Sequence, residues 1–202
     1  RSSIGGKLNM KSKMQTRKLV LAAVFSALII AMTFIPYMGY IMYVPASLEI
    51  TTLHIVVILG SICLGWKYAA VLGGVWGVSC ILRAATNPLW YDFLNPLISL
   101  VPRIIVGLVA ALVFAGFIKL HLNKYVSAGI AAAAGTLTNT VLVLTMYNLF
   151  GGSVTAGVYE TFKTIIMTIV SINGVIELAA AVILVPLIYG RIVAANKHIK
   201  SE

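Results

Sequence analysis

Six apolar stretches, approximately Leu19 to Met38, Thr52 to Trp66, Tyr68 to Leu82, Leu97 to Ile118, Ser127 to Phe150 and Thr164 to Val193, take up most of this chain. Several are long enough to cross a hydrocarbon core of about 30 Å as helices. With 60% hydrophobic residues, only 10% charged residues and a mean hydropathy of +1.02, the sequence falls outside the range of soluble domains. The expected fold is all-α: an integral membrane bundle of six transmembrane helices. The second and third stretches are short, and Gly65, Trp66 and Lys67 are the only break between them, so one re-entrant hairpin is the competing reading.

Charge orients such a bundle. Six spans put both termini on one side, and that side collects twelve of the fifteen basic residues, from Arg1 to Lys18 and then Lys67, Lys119, Lys124, Arg191, Lys197 and Lys200. Arg83, Arg103 and Lys163 fall in or near the opposite half, with Glu49, Asp92, Glu160 and Glu177. The positive-inside rule then makes both termini cytoplasmic. The net charge of +10 reflects this topology and attraction to anionic membrane lipid; nucleic acid is an unneeded partner. Residues 1–9 precede Met10 and read as a vector-derived leader, leaving 10–202 as a single six-helix domain.

The motifs for hydrolysis, phosphoryl transfer and redox chemistry are missing: there is no nucleotide-binding loop, GxSxG, HExxH or CxxC. We expect no catalytic residue, metal or cofactor. Cys63 and Cys80 read as small buried thiols, and inverted halves with matching broken helices are not detectable.

Polar residues within the apolar stretches carry the functional signal. Arg103 follows Pro102 one or two turns into the fourth stretch, where an ionisable side chain costs at least about 2.5 kcal/mol and must face protein or a water-filled cavity. The fifth stretch holds Thr136, Thr138, Asn139 and Thr140, and the sixth holds Asn173 and Glu177, four apart and so on one helix face. Two readings compete. Glu177 and Arg103 neutralise each other while Asn139 and Asn173 bond across helices, or Arg103 binds an anionic group bidentately while Asn139 serves amide or hydroxyl groups.

Between the third and fourth stretches, Asn87-Pro-Leu-Trp-Tyr-Asp-Phe-Leu-Asn-Pro96 is bounded by two Asn-Pro turns. Trp90, Tyr91 and Phe93 read either as an interfacial aromatic belt or as a lid over an outward-facing pocket; Tyr37, Tyr40 and Tyr43 read as belt residues first. His54 reads as a packed neutral histidine. In the first stretch Ala23, Ala27 and Ala31 share one helix face, a small-residue surface suited to close helix approach, within this bundle or against another membrane protein. Gly73, Gly74 and Gly77 read as internal packing.

These residues carry a family resemblance. The alanine face, the run Thr52-Leu-His-Ile-Val-Val-Ile-Leu-Gly60, Pro102-Arg103, Thr138-Asn-Thr-Val-Leu-Val-Leu144 and Asn173-Gly-Val-Ile-Glu177 resemble the substrate-binding (S) components of energy-coupling factor vitamin transporters, most of all their pantothenate-specific branch. The resemblance implies a multi-pass protein of the bacterial plasma membrane that captures pantothenate outside. It also implies docking to a transmembrane coupling protein carrying two cytoplasmic ATPases, and toppling to release substrate inside. It implies Arg103 and Asn139 in the pocket and Ala23, Ala27 and Ala31 as the docking face. Asn173, Glu177, Trp90 and Tyr91 are added from depth and facing. Another small vitamin or precursor, such as a hydroxymethylpyrimidine, is the alternative substrate, and a membrane assembly subunit without transport is the remote alternative function.

Overall fold

The computed structural model describes residues 2–44, 48–86, 88–151 and 159–201, with side-chain surroundings for 14–41, 50–86, 88, 90–151 and 173–195. In chain order these form α1 (Ser2–Phe34), β1 (Tyr40–Val44), β2 (Leu48–Thr51), α2 (Leu53–Leu64), α3 (Trp66–Ala84), a 3-10 helix (Pro88–Leu94), α4 (Pro96–Lys119), α5 (Lys124–Phe150) and α6 (Tyr159–Ser201). The helical bundle expected from the apolar stretches is present. Met14–Phe34, Pro96–Lys119, Lys124–Phe150 and Asn173–Ala195 are long and apolar enough to cross a membrane. Twelve-residue α2 rises about 18 Å, short of a full crossing.

Local sequence explains the joints. Asn95 caps α4 by accepting a hydrogen bond from the Leu97 amide at 3.0 Å, with Pro96 at the first helical position. Asn123 does the same for α5 through the Tyr125 amide at 2.9 Å. Gly65 is the whole connection between α2 and α3; its φ of 91° lies where a side chain is strained, and its amide still reaches the Ser61 carbonyl at 2.9 Å. The chain therefore turns back on one residue rather than on the three that the sequence offered.

Short α2 is the centre of the molecule. It touches all five other helices, and every residue in it except Cys63 is buried, as an all-round apolar helix must be. Around it α3, α4, α5 and α6 run alternately up and down. Gly73 lies against the Arg103 backbone, Gly77 against Leu100, and Gly107 against the Ala69 carbonyl, so α3 and α4 touch backbone to backbone where a Cβ would collide. Gly73 and Gly77 thus pack internally as expected, whereas Gly74 meets nothing. Further contacts, Ala110 and Ile58 with Gly135, Thr140 with Gly174, and Tyr125 with Gly190, fix the register of α5 against α2, α4 and α6.

The strands depart from the all-α expectation. β1 and β2 form an antiparallel hairpin with Tyr40 opposite Thr51 and Ile41 opposite Ile50, and with an irregularity between Met42 and Val44. Its base is closed by Thr52, whose amide bonds the Gly39 carbonyl at 2.9 Å and whose hydroxyl bonds the Met38 carbonyl at 2.9 Å. Tyr40, read from sequence as an interfacial aromatic, lies on β1, with its hydroxyl 3.0 Å from Cys80 Sγ and its ring under the Arg83 guanidinium. The bundle therefore has two unlike ends, one bearing the hairpin and the 3-10 helix, the other bearing the Gly65 joint and the α4–α5 turn.

Candidate functional site

Proline determines where the guanidinium goes. Inside α4, Pro102 has no N–H to give to the carbonyl of Ile98, four residues back. Arg103 Nη1 donates to that carbonyl instead, at 2.8 Å. A helical side chain leans toward the helix N-terminus, so this bond draws the arginine along its own helix toward the hairpin end. The side chain is 6% exposed. Its guanidinium carbon lies 5.2 Å from the ring centre of Trp76 on α3 and 5.8 Å from that of Phe93 in the 3-10 helix. Two aromatic rings thus flank a cation that makes one side-chain hydrogen bond, and its Nε is buried without a partner.

Phe93 is fastened from several sides. The Ser99 hydroxyl donates to its carbonyl, its ring stacks on Tyr147 of α5 at 6.0 Å, and Trp90 meets it edge-on at 5.8 Å. Next to it, the Tyr147 hydroxyl donates to Asp92 Oδ2 at 3.2 Å. Of the aromatic residues read as a lid, Phe93 is the one against Arg103; Trp90 packs behind it, and Tyr91 is 37% exposed.

Glu177 is also buried, at 6% exposure, but it does not close on the arginine. Its Oε1 accepts the amide of Thr51 at 2.7 Å and so ties α6 to the end of β2. Among the described residues no ion pair joins Glu177 to Arg103, although the arginine's charge reaches it through space. Asn139 and Asn173 are both buried, on α5 and α6, each one residue from the contact between Thr140 and Gly174. The Asn139 Oδ1 has no partner.

Unpaired polar atoms mark out the site. Among the described residues, seven buried side-chain atoms lack a hydrogen bond: Thr51 Oγ1, both ring nitrogens of His54, Trp76 Nε1, Arg103 Nε, Thr136 Oγ1 and Asn139 Oδ1. Buried polar atoms are ordinarily paired, and an orphan costs roughly 1–3 kcal/mol. All seven belong to helices and strand ends that meet around α2. The sequence reading missed Trp76, an indole in mid-helix, whereas His54 is packed inside the bundle as expected.

The alanine face lies elsewhere. On α1 the bundle takes Ala22, Ile29 and Thr33, all buried, while Ala23, Ala27 and Ala31 are exposed together. Those three alanines therefore do not serve packing within this chain.

Comparison with known proteins adds the following. Residues 17–189 match the family described as ECF transporter, substrate-specific component. The chain is 36% identical over 170 residues to the pantothenic acid transporter PanT of Lactococcus lactis subsp. cremoris, covering 76% of this chain and 83% of that protein. It is 28% identical over 187 residues to the pantothenate transporter PanT of Leuconostoc mesenteroides subsp. mesenteroides, covering 86% and 91%.

Proposed function

This chain belongs to the ECF transporter substrate-specific components, multi-pass proteins of the bacterial plasma membrane, and on that premise we propose that it captures pantothenate from outside and delivers it to the cytoplasm. A substrate-specific component is a transporter part rather than an enzyme; ATP hydrolysis belongs, in this reading, to two cytoplasmic ATPases on a transmembrane coupling protein. Both termini are cytoplasmic, and the hairpin end faces outward.

The observation that carries the substrate is the buried Arg103 guanidinium, held against Trp76 and Phe93 with Nε unpaired and, among the described residues, no acid closed upon it. Pantothenate has a carboxylate, an amide and two hydroxyls. The carboxylate suits Arg103, where a charge-assisted bond in a dry site is strong, and the amide or a hydroxyl suits Asn139. Asn173 and Glu177 complete the wall, and Trp90 and Tyr91 form the outer cover with Phe93. A neutral hydroxymethylpyrimidine would leave the guanidinium without an anion. The names of the two curated relatives support the same choice.

Delivery uses the free alanine face. Ala23, Ala27 and Ala31 let a helix of the coupling protein approach α1 closely. A thermal-shift panel of water-soluble vitamins on the detergent-purified chain tests the substrate: at 100 times its dissociation constant a ligand adds about 2.7 kcal/mol of stability, so pantothenate should raise the melting temperature well above any other vitamin. A panel in which pantothenate has no effect sinks the assignment. Ala27→Trp tests docking: binding should persist and uptake by the assembled transporter should stop. Uptake at the wild-type rate would remove the alanine face from the mechanism.

A further inference from the structure

His54 opens α2, the helix enclosed by all the others, and is 0% exposed. A packed neutral histidine in such a place normally finds a partner for each ring nitrogen; here neither Nδ1 nor Nε2 makes a well-formed hydrogen bond, although the backbones of Thr51 and Glu177 lie beside the ring. Its level along α5 follows from the helix register. Ile58 of α2 lies against Gly135 of α5. The start of α2 and the end of α5 both lie at the hairpin end, since Thr51 bonds Glu177 and Tyr147 stacks on Phe93, so the two helices run antiparallel. One helical turn toward that end is four residues back on α2 and four residues on along α5, which sets His54 level with Asn139. Asn139 Oδ1 is the unpaired acceptor of α5, and Thr136, three residues before it on the same face, has an unpaired hydroxyl.

We propose that His54, together with Asn139, binds a hydroxyl group of the substrate, so that the site reads a hydroxylated chain as well as an anion. A neutral imidazole has one N–H donor and one acceptor nitrogen, and an asparagine carbonyl oxygen is an acceptor. A ligand hydroxyl between them accepts from the His54 N–H and donates to Asn139 Oδ1, which pairs one ring nitrogen and the Asn139 oxygen at once. Arg103 then holds the carboxylate end of the molecule and the α2–α5 seam holds the hydroxyl end. This rests on the pantothenate reading and adds to it a second, uncharged subsite.

The test is a double-mutant cycle by calorimetry on the detergent-purified full chain, with His54→Leu on the protein side and a pantothenate analogue lacking one hydroxyl on the ligand side. Leucine removes two unpaired buried nitrogens, so the ligand-free variant should melt at or above the wild-type temperature. Its affinity for pantothenate should fall by about tenfold or more. The deoxy analogue that wild type binds more weakly than pantothenate should be bound equally well by wild type and variant. Equal losses for pantothenate and for every deoxy analogue, or unchanged pantothenate affinity, overturns the assignment. Should His54→Leu fail to fold, the wild-type chain labelled with 15N-histidine serves instead, with the His54 ring signals identified by substituting His121 and His198. Pantothenate should shift those signals and the matching deoxy analogue should not; no shift with pantothenate overturns the proposal. Wild type that binds no pantothenate at all sinks the parent assignment, which is a different outcome from wild type that binds while the variant binds equally.

Discussion

Ser61 and Thr136 are both fully buried hydroxyls in apolar helices, close to the same Ile58–Gly135 contact, and the bundle treats them in opposite ways. Ser61, toward the Gly65 joint, donates to the Val57 carbonyl at 2.6 Å. Ser127 near the α4–α5 turn likewise bonds Asn123 at 3.0 Å. Thr136 bonds nothing, although its neighbours Thr138 and Thr140 on the same helix bond the carbonyls four residues back at 2.7 and 3.3 Å. Toward the Gly65 joint, the described buried hydroxyls are satisfied by their own helices. Toward the hairpin, Ser79 and Ser99 are paired, but Trp76 Nε1, Arg103 Nε, Thr136 Oγ1 and Asn139 Oδ1 are left unpaired. A half whose described polar atoms pair internally is built for stability, while a half that holds orphans exchanges stability for binding, because those atoms can gain partners from a ligand.

The largest expected break in this contrast comes at Arg103. Arg103→Met keeps the apolar stem between Trp76 and Phe93 and removes the charge, so pantothenate affinity should fall by a factor of about a hundred to a thousand, the usual scale for losing one partner of a buried charge pair. The ligand-free protein should be no less stable, since a buried charge without a counter-ion among the described residues has gone. Calorimetry and a melting curve on the same sample check both. A variant that binds normally would return Arg103 to a structural role.

Next in size is Pro102→Ala. Alanine restores the amide that completes the bond to the Ile98 carbonyl, and so competes with Arg103 Nη1 for it. An interior proline costs a helix about 3 kcal/mol, so this variant should melt higher, yet bind about tenfold more weakly through a misplaced guanidinium. Raised stability with unchanged affinity would show that the carbonyl does not position the arginine.

Parts of this contrast could be read without coordinates. The Asn95-Pro96 start of α4, the break at Gly65 and the depth of Arg103, Asn139 and Glu177 follow from residue type and spacing, because caps, glycine φ and buried charge are local or nearly local matters. The hairpin was illegible: Tyr40–Val44 is apolar and aromatic, and it blends into the exit of the first apolar stretch. Nor does sequence separate Thr136 from Thr138 and Thr140, since all three can bond back along the helix and only the facing of α5 decides which one does. The partner of Glu177 was hidden for a similar reason. Its bond to the Thr51 amide spans 126 positions, whereas Arg103 was the complementary charge within an apolar stretch that the sequence put forward. The alanine spacing on α1 was plain, but which way it faced depended on Ala22, Ile29 and Thr33 taking the core.

The smallest expected effect bears most directly on the comparison, because it sets the two hydroxyls against each other. Thr136→Val removes an orphaned oxygen at nearly constant volume and should leave stability within about 0.5 kcal/mol of wild type, or raise it. If the hairpin half keeps its polar atoms for the ligand, the same change weakens pantothenate binding several-fold. Ser61→Ala removes a paired hydroxyl and should cost about 1 kcal/mol of stability with binding unchanged. The pair therefore predicts opposite signatures, affinity without stability at Thr136 and stability without affinity at Ser61. Melting temperatures and calorimetric affinities for the two variants decide it. Should both lose stability alone, the division of the bundle into a self-satisfied half and a ligand-satisfied half would be wrong, even if Arg103 and the pantothenate assignment stood.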